Sequence, residues 1–524
     1  MSGQGAAALA VLPEYLGWHV LLSACALALG AAISLPLAVA ASRSPRLRWP
    51  VLAIASLIQT IPSLALLALF YPLLLALSAL SRQAFGVGFP ALGFLPALLA
   101  LTLYSMLPML RNAAAGILGV DRAVIEAADG MGMTSAQRLV QVELPLAAPV
   151  IMAGVRTAAV WTIGAATLAT PVGQTSLGNY IFAGLQTENW VFVLFGCAAS
   201  AVLAMTADQL LGLIESGAAR RSGRRVLAGA AGLVLGVLAA VAPLGLGDSS
   251  ASYVVGAKNF SEQYILAEVM ARRLEDAGAR VSRKEDLGSA VAYRALAAGE
   301  IDAYVDYSGT LWTNVLNRKD NPGRAQILSE LTTALKARDG VVVLGSLGFE
   351  NAYALTMRPD RARALGIASL DDLARQAPQL TLGADLEFLS RPEWRAIQAA
   401  YGLNFKARRA YQPTFMYRAL ADGQADVISA FSSDGRIAAD RLVILSDPRG
   451  AIPPYDAVIL ISPRSAGDSR LIGALRPLVG KIPVAAMQGA NHSVDRDQGK
   501  LTPQAAARAL EARLRLDEAA HPNH

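Results

Sequence analysis

Charge is scarce in this chain: Asp, Glu, Lys and Arg make up 16% of its 524 residues, against about 25% in an ordinary soluble domain. Cysteine is nearly absent. Its two copies, Cys25 and Cys197, both sit inside apolar runs, which excludes a disulfide framework and leaves the C-terminal half with no bridge to form. Histidine occurs four times, as His19, His492, His521 and His524, too scattered for a Cys/His metal cluster. No HExxH or GxSxG pattern stands in a supporting context, which argues against a membrane enzyme with an external catalytic domain. GxxxxGK[ST] is missing too, so this chain has no phosphate loop with which to hydrolyse ATP. The expectation is a protein with no catalytic residue, no metal ligand and no bound cofactor of its own.

What is abundant is apolar sequence, 54% of the chain, and it is unevenly placed. Residues up to about Gly247 hold long uncharged runs, whereas charged residues recur every few positions from Asp248 onward. That break separates a membrane half, 1–246, from a soluble half, 253–515, with 247–252 as a short tether. Six segments are long enough to cross about 30 Å of hydrocarbon: Trp18–Ala41, Val51–Leu77, Leu92–Leu110, Leu146–Pro171, Val191–Ile214 and Val226–Leu246. The first is too long for a cleavable signal peptide and reads as a retained span.

Arginines orient the spans. Arg43, Arg46 and Arg48 fall between spans one and two. Arg111, Arg122 and Arg138 fall in or beside the loop between three and four, and Arg220, Arg221, Arg224 and Arg225 lie between five and six. The other side has little beyond Arg82. The positive-inside rule makes those three loops cytoplasmic and places both the N-terminus and the soluble half outside. Topology thus accounts for much of the net charge of +6 and the isoelectric point near 9.3. With no basic, aromatic-interleaved motif, nucleic acid is excluded as a partner.

The soluble half alternates strands and helices. Strands are predicted at Tyr253–Gly256, Ile301–Val305, Val341–Leu344, Tyr353–Met357, Thr381–Gly383, Val427–Ala430 and Ala457–Ile461, with a helix at Glu262–Ala277 capped by Ser261. This length and pattern suit two α/β lobes, the first from about 253–356 and 455–515 and the second from about 357–454. Hinges are expected near Met357 and Arg449–Pro454.

Residues Glu126–Pro145, EAADGMGMTSAQRLVQVELP, carry the most specific pattern in the membrane half. They resemble the cytoplasmic coupling loop of ABC-importer permeases at Glu126, Ala127, Ala128, Gly132, Val142, Leu144 and Pro145, within a loop spanning 121–145. In the soluble half, VVGAKNFSEQYILAE, LGSAVAYRALAAGEIDAYVDYSGTLW, GFENAYAL, AFSSDGRI and IPPYDA occur in that order. They resemble the binding proteins that capture quaternary-ammonium osmoprotectants (glycine betaine, choline, carnitine) for ABC importers. Related fused permease–binding chains are also associated with ergothioneine, a trimethylated betaine carrying a flat thione ring. The resemblance implies a type I importer permease of all-α spans joined to a type II two-lobed periplasmic-binding-protein-like domain. It also implies a bacterial inner-membrane location, a separate cytoplasmic ATPase that binds the ATP, a small betaine-type substrate, and a pore made by two copies of the chain.

A quaternary ammonium has no hydrogen to donate, so a protein holds it with ring faces, each worth roughly 0.5–2 kcal/mol. Carried over position by position, the implied rings are Tyr307 in YSGT, Tyr353 in ENAY, Tyr455 in PPY, and Phe431 in AFSSDG, where some relatives place tyrosine. The ligand carboxylate would meet Gln263 and Thr310, with Asn351 and Ser433 as further polar candidates. Tyr264, Tyr293, Tyr401, Tyr411 and Tyr417 are assigned to packing. Glu350, Asp434 and Arg436 stay open between pairing with one another and touching a more polar ligand. A ligand-sensing receptor would share the external lobes, but the internal loops are too short for a signalling domain.

Overall fold

The computed structural model describes residues 3–244 and 253–514 other than Glu188, Lys319, Gln412 and Asp497. The chain divides into two compact units, one of residues 1–184 and 190–249 and the other of residues 185–189 and 250–524. The expected tether at 247–252 lies outside the described residues.

The first unit is helical. Six helices among the described residues are long and apolar enough to cross a membrane: Gln4–Arg43, Ser63–Phe85, Phe94–Leu118, Ser135–Val172, Trp190–Ala219 and Gly223–Leu244. Large apolar side chains stay exposed along them, as at Leu69, Leu73 and Leu80 of the second and Leu227, Leu235 and Leu238 of the sixth, the surface expected of helices solvated by lipid. The second span starts later than the apolar run suggests. A separate helix, Pro45–Thr60, ends where Ile61 turns extended (φ −72°, ψ 126°). Pro62 imposes this by crowding the residue before it out of the helical region and by lacking an N–H.

Between the third and fourth spans the chain forms a short helix, Arg122–Gly130, with Asp121 accepting a hydrogen bond from Ala123 N at 2.9 Å as its cap. Gly132 then takes φ +79°. A capping box between Thr134 and Gln137 starts the next helix. That helix passes through a π turn, Leu139–Glu143, before continuing as Leu144–Ala166.

The second unit holds ten strands among the described residues: β1 Tyr253–Lys258, β2 Val281–Leu287, β3 Ala303–Tyr307, β4 Val342–Glu350, β5 Tyr353–Met357, β6 Thr381–Ala384, β7 Ala407–Ala410, β8 Val427–Phe431, β9 Val443–Ile444 and β10 Asp456–Ile461. They form two five-stranded sheets, ordered β2-β1-β3-β10-β4 and β7-β6-β8-β5-β9. In each sheet four strands share one direction and a single interior strand runs opposite to them, β10 in the first and β5 in the second, each following a crossing between the sheets. β5 belongs to the second sheet because it pairs antiparallel with both β8 and β9. The first crossing therefore lies at Asn351–Ala352, upstream of the lobe boundary at 356–357 and of the hinge expected at Met357. The second crossing lies between β9 and β10 and contains Arg449–Pro454.

The helix expected at Glu262–Ala277 runs Ser261–Asp276, and Ser261 does not cap it. Phe260 holds the cap position, and the Ser261 hydroxyl donates instead to Asp495.

Candidate functional site

Where β3 ends, Tyr307 leads into a tight turn, Ser308–Thr310. The Ser308 hydroxyl donates to Pro454 O and accepts from Asp456 N, each at 2.9 Å, fixing the end of β3 to the returning chain. Gly309 permits the close approach. A Cβ there would fall 2.6 Å from ring carbons of Tyr455, so the Tyr455 ring lies against bare backbone.

One group of site residues is polar and closes around Glu262, in the first turn of the Ser261–Asp276 helix. Glu262 Oε1 accepts from the Tyr307 hydroxyl at 2.6 Å and from Asn351 Nδ2 at 3.1 Å, while Oε2 accepts from Asn491 Nδ2 at 3.0 Å. Gln263 Nε2 donates to the Tyr307 hydroxyl at 2.9 Å, and Asn491 Nδ2 also reaches Ser433 O at 2.9 Å. Gln263, Tyr307, Asn351 and Ser433 thus meet through two residues that sequence reasoning did not select, Glu262 and Asn491. Burial pushes the Glu262 carboxyl above its ordinary value, opposed by hydrogen bonds from Ser433, Tyr307, Asn491 and Asn351. Behind Tyr307, Lys258 pairs with Asp306 and sits 5.0 Å from the Tyr307 ring centroid, with Phe260 stacked at 6.2 Å.

The other group is aromatic and centres on Tyr353. Its ring lies 4.8 Å from Phe431, its direct partner across the β5–β8 ladder, and 6.0 Å from Tyr455, perpendicular to it. Phe388 adds a third ring at 5.1 Å. The Arg391 guanidinium stands 5.3 Å from the Tyr353 centroid and 3.6 Å from Glu393, which accepts the Tyr455 hydroxyl. The structure therefore gathers Tyr353, Phe431 and Tyr455, but Tyr307 has Phe260 as its ring neighbour. Thr310 is buried in the turn after Tyr307, and the hydrogen bonds of the polar group do not include it.

Sequence reasoning passed over Phe260, Glu262, Phe388, Arg391, Glu393 and Asn491. Phe260 and Glu262 flank residues already singled out, in NFSEQ, and that adjacency was a usable signal. Of the three residues left open, Glu350 pairs with Arg324 at 2.6 Å. Asp434 accepts from the Tyr417 hydroxyl at 2.6 Å and from Arg436 N at 3.0 Å, while the Arg436 guanidinium lies 5.5 Å from the Tyr417 ring centroid. Asp434 and Arg436 thus both engage Tyr417, one of the tyrosines assigned to packing.

In the loop between spans three and four, Glu126 and Ala127 are exposed, Ala128 is buried, Leu144 is half-buried and Pro145 is exposed. Glu126 accepts from Arg122 one turn earlier at 2.9 Å, an exposed pair worth little to stability.

Six apolar helices with a short exposed helix between the third and fourth, and two α/β lobes with polar and aromatic clusters at their crossings, define a membrane permease joined to a small-molecule binding domain. Residues 251–512 match the substrate binding domain of the ABC-type glycine betaine transport system, and residues 30–220 match the binding-protein-dependent transport system inner membrane component. The chain is 29% identical over 463 residues to an ergothioneine transport permease/ergothioneine binding protein of Helicobacter pylori strain G27, covering 85% of this chain and 80% of that one. It is 41% identical over 197 residues to a choline transport system permease protein of Bacillus subtilis strain 168, covering 38% and 83%. Among solved structures, a glycine betaine/carnitine/choline ABC transporter matches with 26% identity and a TM-score of 0.45, over 50% of this chain and 98% of that one. The chain belongs to the ABC-type glycine betaine transport family, as a fused permease and substrate-binding subunit with a multi-pass inner-membrane unit.

Proposed function

We propose that the second unit lies outside the cell and captures a betaine-type compound, which two copies of the first unit pass inward as a separate ATPase hydrolyses ATP. The observation that carries this reading is the ring group around Tyr353. Tyr353, Phe431 and Tyr455 offer faces to a trimethylammonium group, which water binds poorly and which no hydrogen-bond acceptor can fix by itself. Arg391, at the edge of that group, supplies the charge that a ligand carboxylate would meet, and Arg recognises carboxylates with two parallel donors. Gln263, Thr310, Asn351 and Ser433 add neutral polar contacts. Glu126, Ala127, Ala128, Gly132, Leu144 and Pro145 belong to the loop that meets the ATPase, with Glu126, Ala127, Gly132 and Pro145 exposed to it and Ala128 packed beneath them.

A second reading, ergothioneine as the ligand, is favoured by the relative that spans both units and bears that name. Ergothioneine presents the same trimethylammonium and carboxylate, so the same two groups of residues would hold it. Titration calorimetry on the full chain in lipid nanodiscs with glycine betaine, choline, carnitine and ergothioneine tests both readings. Heat with one or more of the first three supports the first, heat with ergothioneine alone supports the second, and none with any of the four removes the capture function.

A further inference from the structure

Glu143 sits in the loop motif between Val142 and Leu144, yet its side chain is 1% exposed. Its carboxylate accepts from Arg43 Nη2 at 2.6 Å and from Arg138 Nε at 2.9 Å. Arg138 in turn gives Nη1 to both oxygens of Asp129, at 2.5 and 2.6 Å. The four charges make one chain, Asp129–Arg138–Glu143–Arg43. Its ends belong to different elements: Asp129 to the short helix Arg122–Gly130, and Arg43 to the last turn of the first span's helix.

The backbone supports this placement. Leu144 N bonds to Leu139 O, five residues back, in the π turn that ends at Glu143. Pro145 has no N–H to give to the carbonyl of residue 141, so the regular ladder is interrupted there. π turns rotate the following side chains relative to a continuous α-helix and recur at functional positions. Burying a carboxylate is also a poor route to stability, because its desolvation offsets most of the attraction to its partners, whereas losing one partner is strongly unfavourable. The arrangement therefore favours fixed geometry over net stability.

We propose that Asp129, Arg138, Glu143 and Arg43 form an ionic linkage that carries displacement of the Arg122–Gly130 helix to the first span. This rests on the reading of that helix as the ATPase-facing element. Arg43 and Glu143 act in this linkage as positioning residues, through their bonds to each other and to Arg138. Because Arg43 has no contact with the short helix in the chain of bonds above, any effect of its removal on that helix has to travel through Glu143 and Arg138.

The test uses the full chain with Cys25→Ser, Cys197→Ser and Met131→Cys in nanodiscs. A nitroxide at position 131, an exposed site beside the short helix, reports that helix's mobility. Arg43→Gln and Glu143→Gln are expected to increase nitroxide mobility as Arg138→Gln does, and Arg43→Lys to leave it near the parent value. In vesicles with the co-purified ATPase, Arg43→Gln should lower uptake per ATP about tenfold, equivalent to roughly 1.4 kcal/mol. The uptake probe is whichever of the four compounds calorimetry selects, and its affinity should change less than about twofold, since its candidate site belongs to the other unit and shares no residue with the linkage. An unchanged nitroxide spectrum in Arg43→Gln, or equal loosening in Arg43→Lys, overturns the linkage, even if Glu143→Gln fails to fold. If the parent shows no ATP-driven uptake, the transport reading falls while the nitroxide measurement still decides the linkage.

Discussion

The Tyr307 hydroxyl donates to Glu262 at 2.6 Å while accepting from Gln263 at 2.9 Å. Both residues are buried, so the phenol is a connecting member of a polar network as well as a ring face. The resemblance to osmoprotectant-binding proteins presents Tyr307 as a cage ring. In this fold the hydroxyl satisfies a carboxylate that water does not reach, and a buried acceptor left short of a donor costs far more than the bond itself contributes.

Tyr307→Phe is accordingly expected to destabilise the second unit by about 1–3 kcal/mol, with Tyr307→Ala costing more because the ring's packing against Phe260 is also lost. The unit carries its own hydrophobic core, so residues 250–524 expressed alone should unfold cooperatively. Denaturant titration of that fragment checks both statements. A Phe variant as stable as the parent would show that Glu262 finds another donor.

At Tyr353 the balance differs, because its ring has three aromatic neighbours within 6.0 Å and Arg391 over its face. Tyr353→Ala should weaken binding of the trimethylammonium ligand by about 1–2 kcal/mol or more, while Tyr353→Phe keeps most of the affinity, since the face carries the attraction. Calorimetry on the paired variants decides. Equal losses would assign the effect to the hydroxyl.

The division into membrane and soluble halves was legible in the sequence because it depends on composition over tens of residues. The interior strands β1, β3, β5, β6, β8 and β10 were legible for a related reason, since burial makes them apolar. The strands missed, β2, β7 and β9, all lie at sheet edges. VSRKEDL and ARRA carry charges that protect an exposed edge and hide the strand pattern. The site divides in the same way. Tyr353 and Phe431 were named as candidates by motif, and ladder register explains their contact. Arg391, Glu393 and Asn491 reach the site through tertiary packing, and no local pattern marks them.

Two buried carboxyls outside the ring group make stability depend on pH. Burial pushes both Asp286 and Asp495 up to about 7, opposed at Asp286 by the Tyr264 hydroxyl and at Asp495 by Ser261, with Asp434 adding to the rise and Arg436 and Lys500 opposing it. The folded state therefore holds more protons than the unfolded state between about 4 and 7, and stability falls as pH rises through that window. Melting of the 250–524 fragment should occur at a lower temperature at pH 8 than at pH 5. Asp286→Asn should flatten that dependence, and asparagine suits the left-handed backbone there (φ +62°). A profile unchanged in both Asp286→Asn and Asp495→Asn would place the pH dependence elsewhere.

Gly132 separates conformational demand from steric demand in the loop between spans three and four. Its φ of +79° lies in the left-handed region, yet a Cβ built there meets nothing within 4 Å. Space is therefore available and only the backbone conformation is costly, by roughly 1–2 kcal/mol for an ordinary residue and less for asparagine. A β-branched side chain is the worst fit to positive φ. Gly132→Val should abolish uptake and ligand-stimulated ATP hydrolysis, while Gly132→Asn retains a substantial part of both. Glu126→Lys, which reverses an exposed charge on the short helix, should resemble the valine variant. Ligand affinity should be unchanged in all three, because none lies in the binding unit. Paired binding and transport measurements in vesicles carrying the ATPase check this ordering. Equal loss in Gly132→Val and Gly132→Asn would mean that a side chain at position 132 obstructs the partner, and that backbone conformation is not what glycine provides.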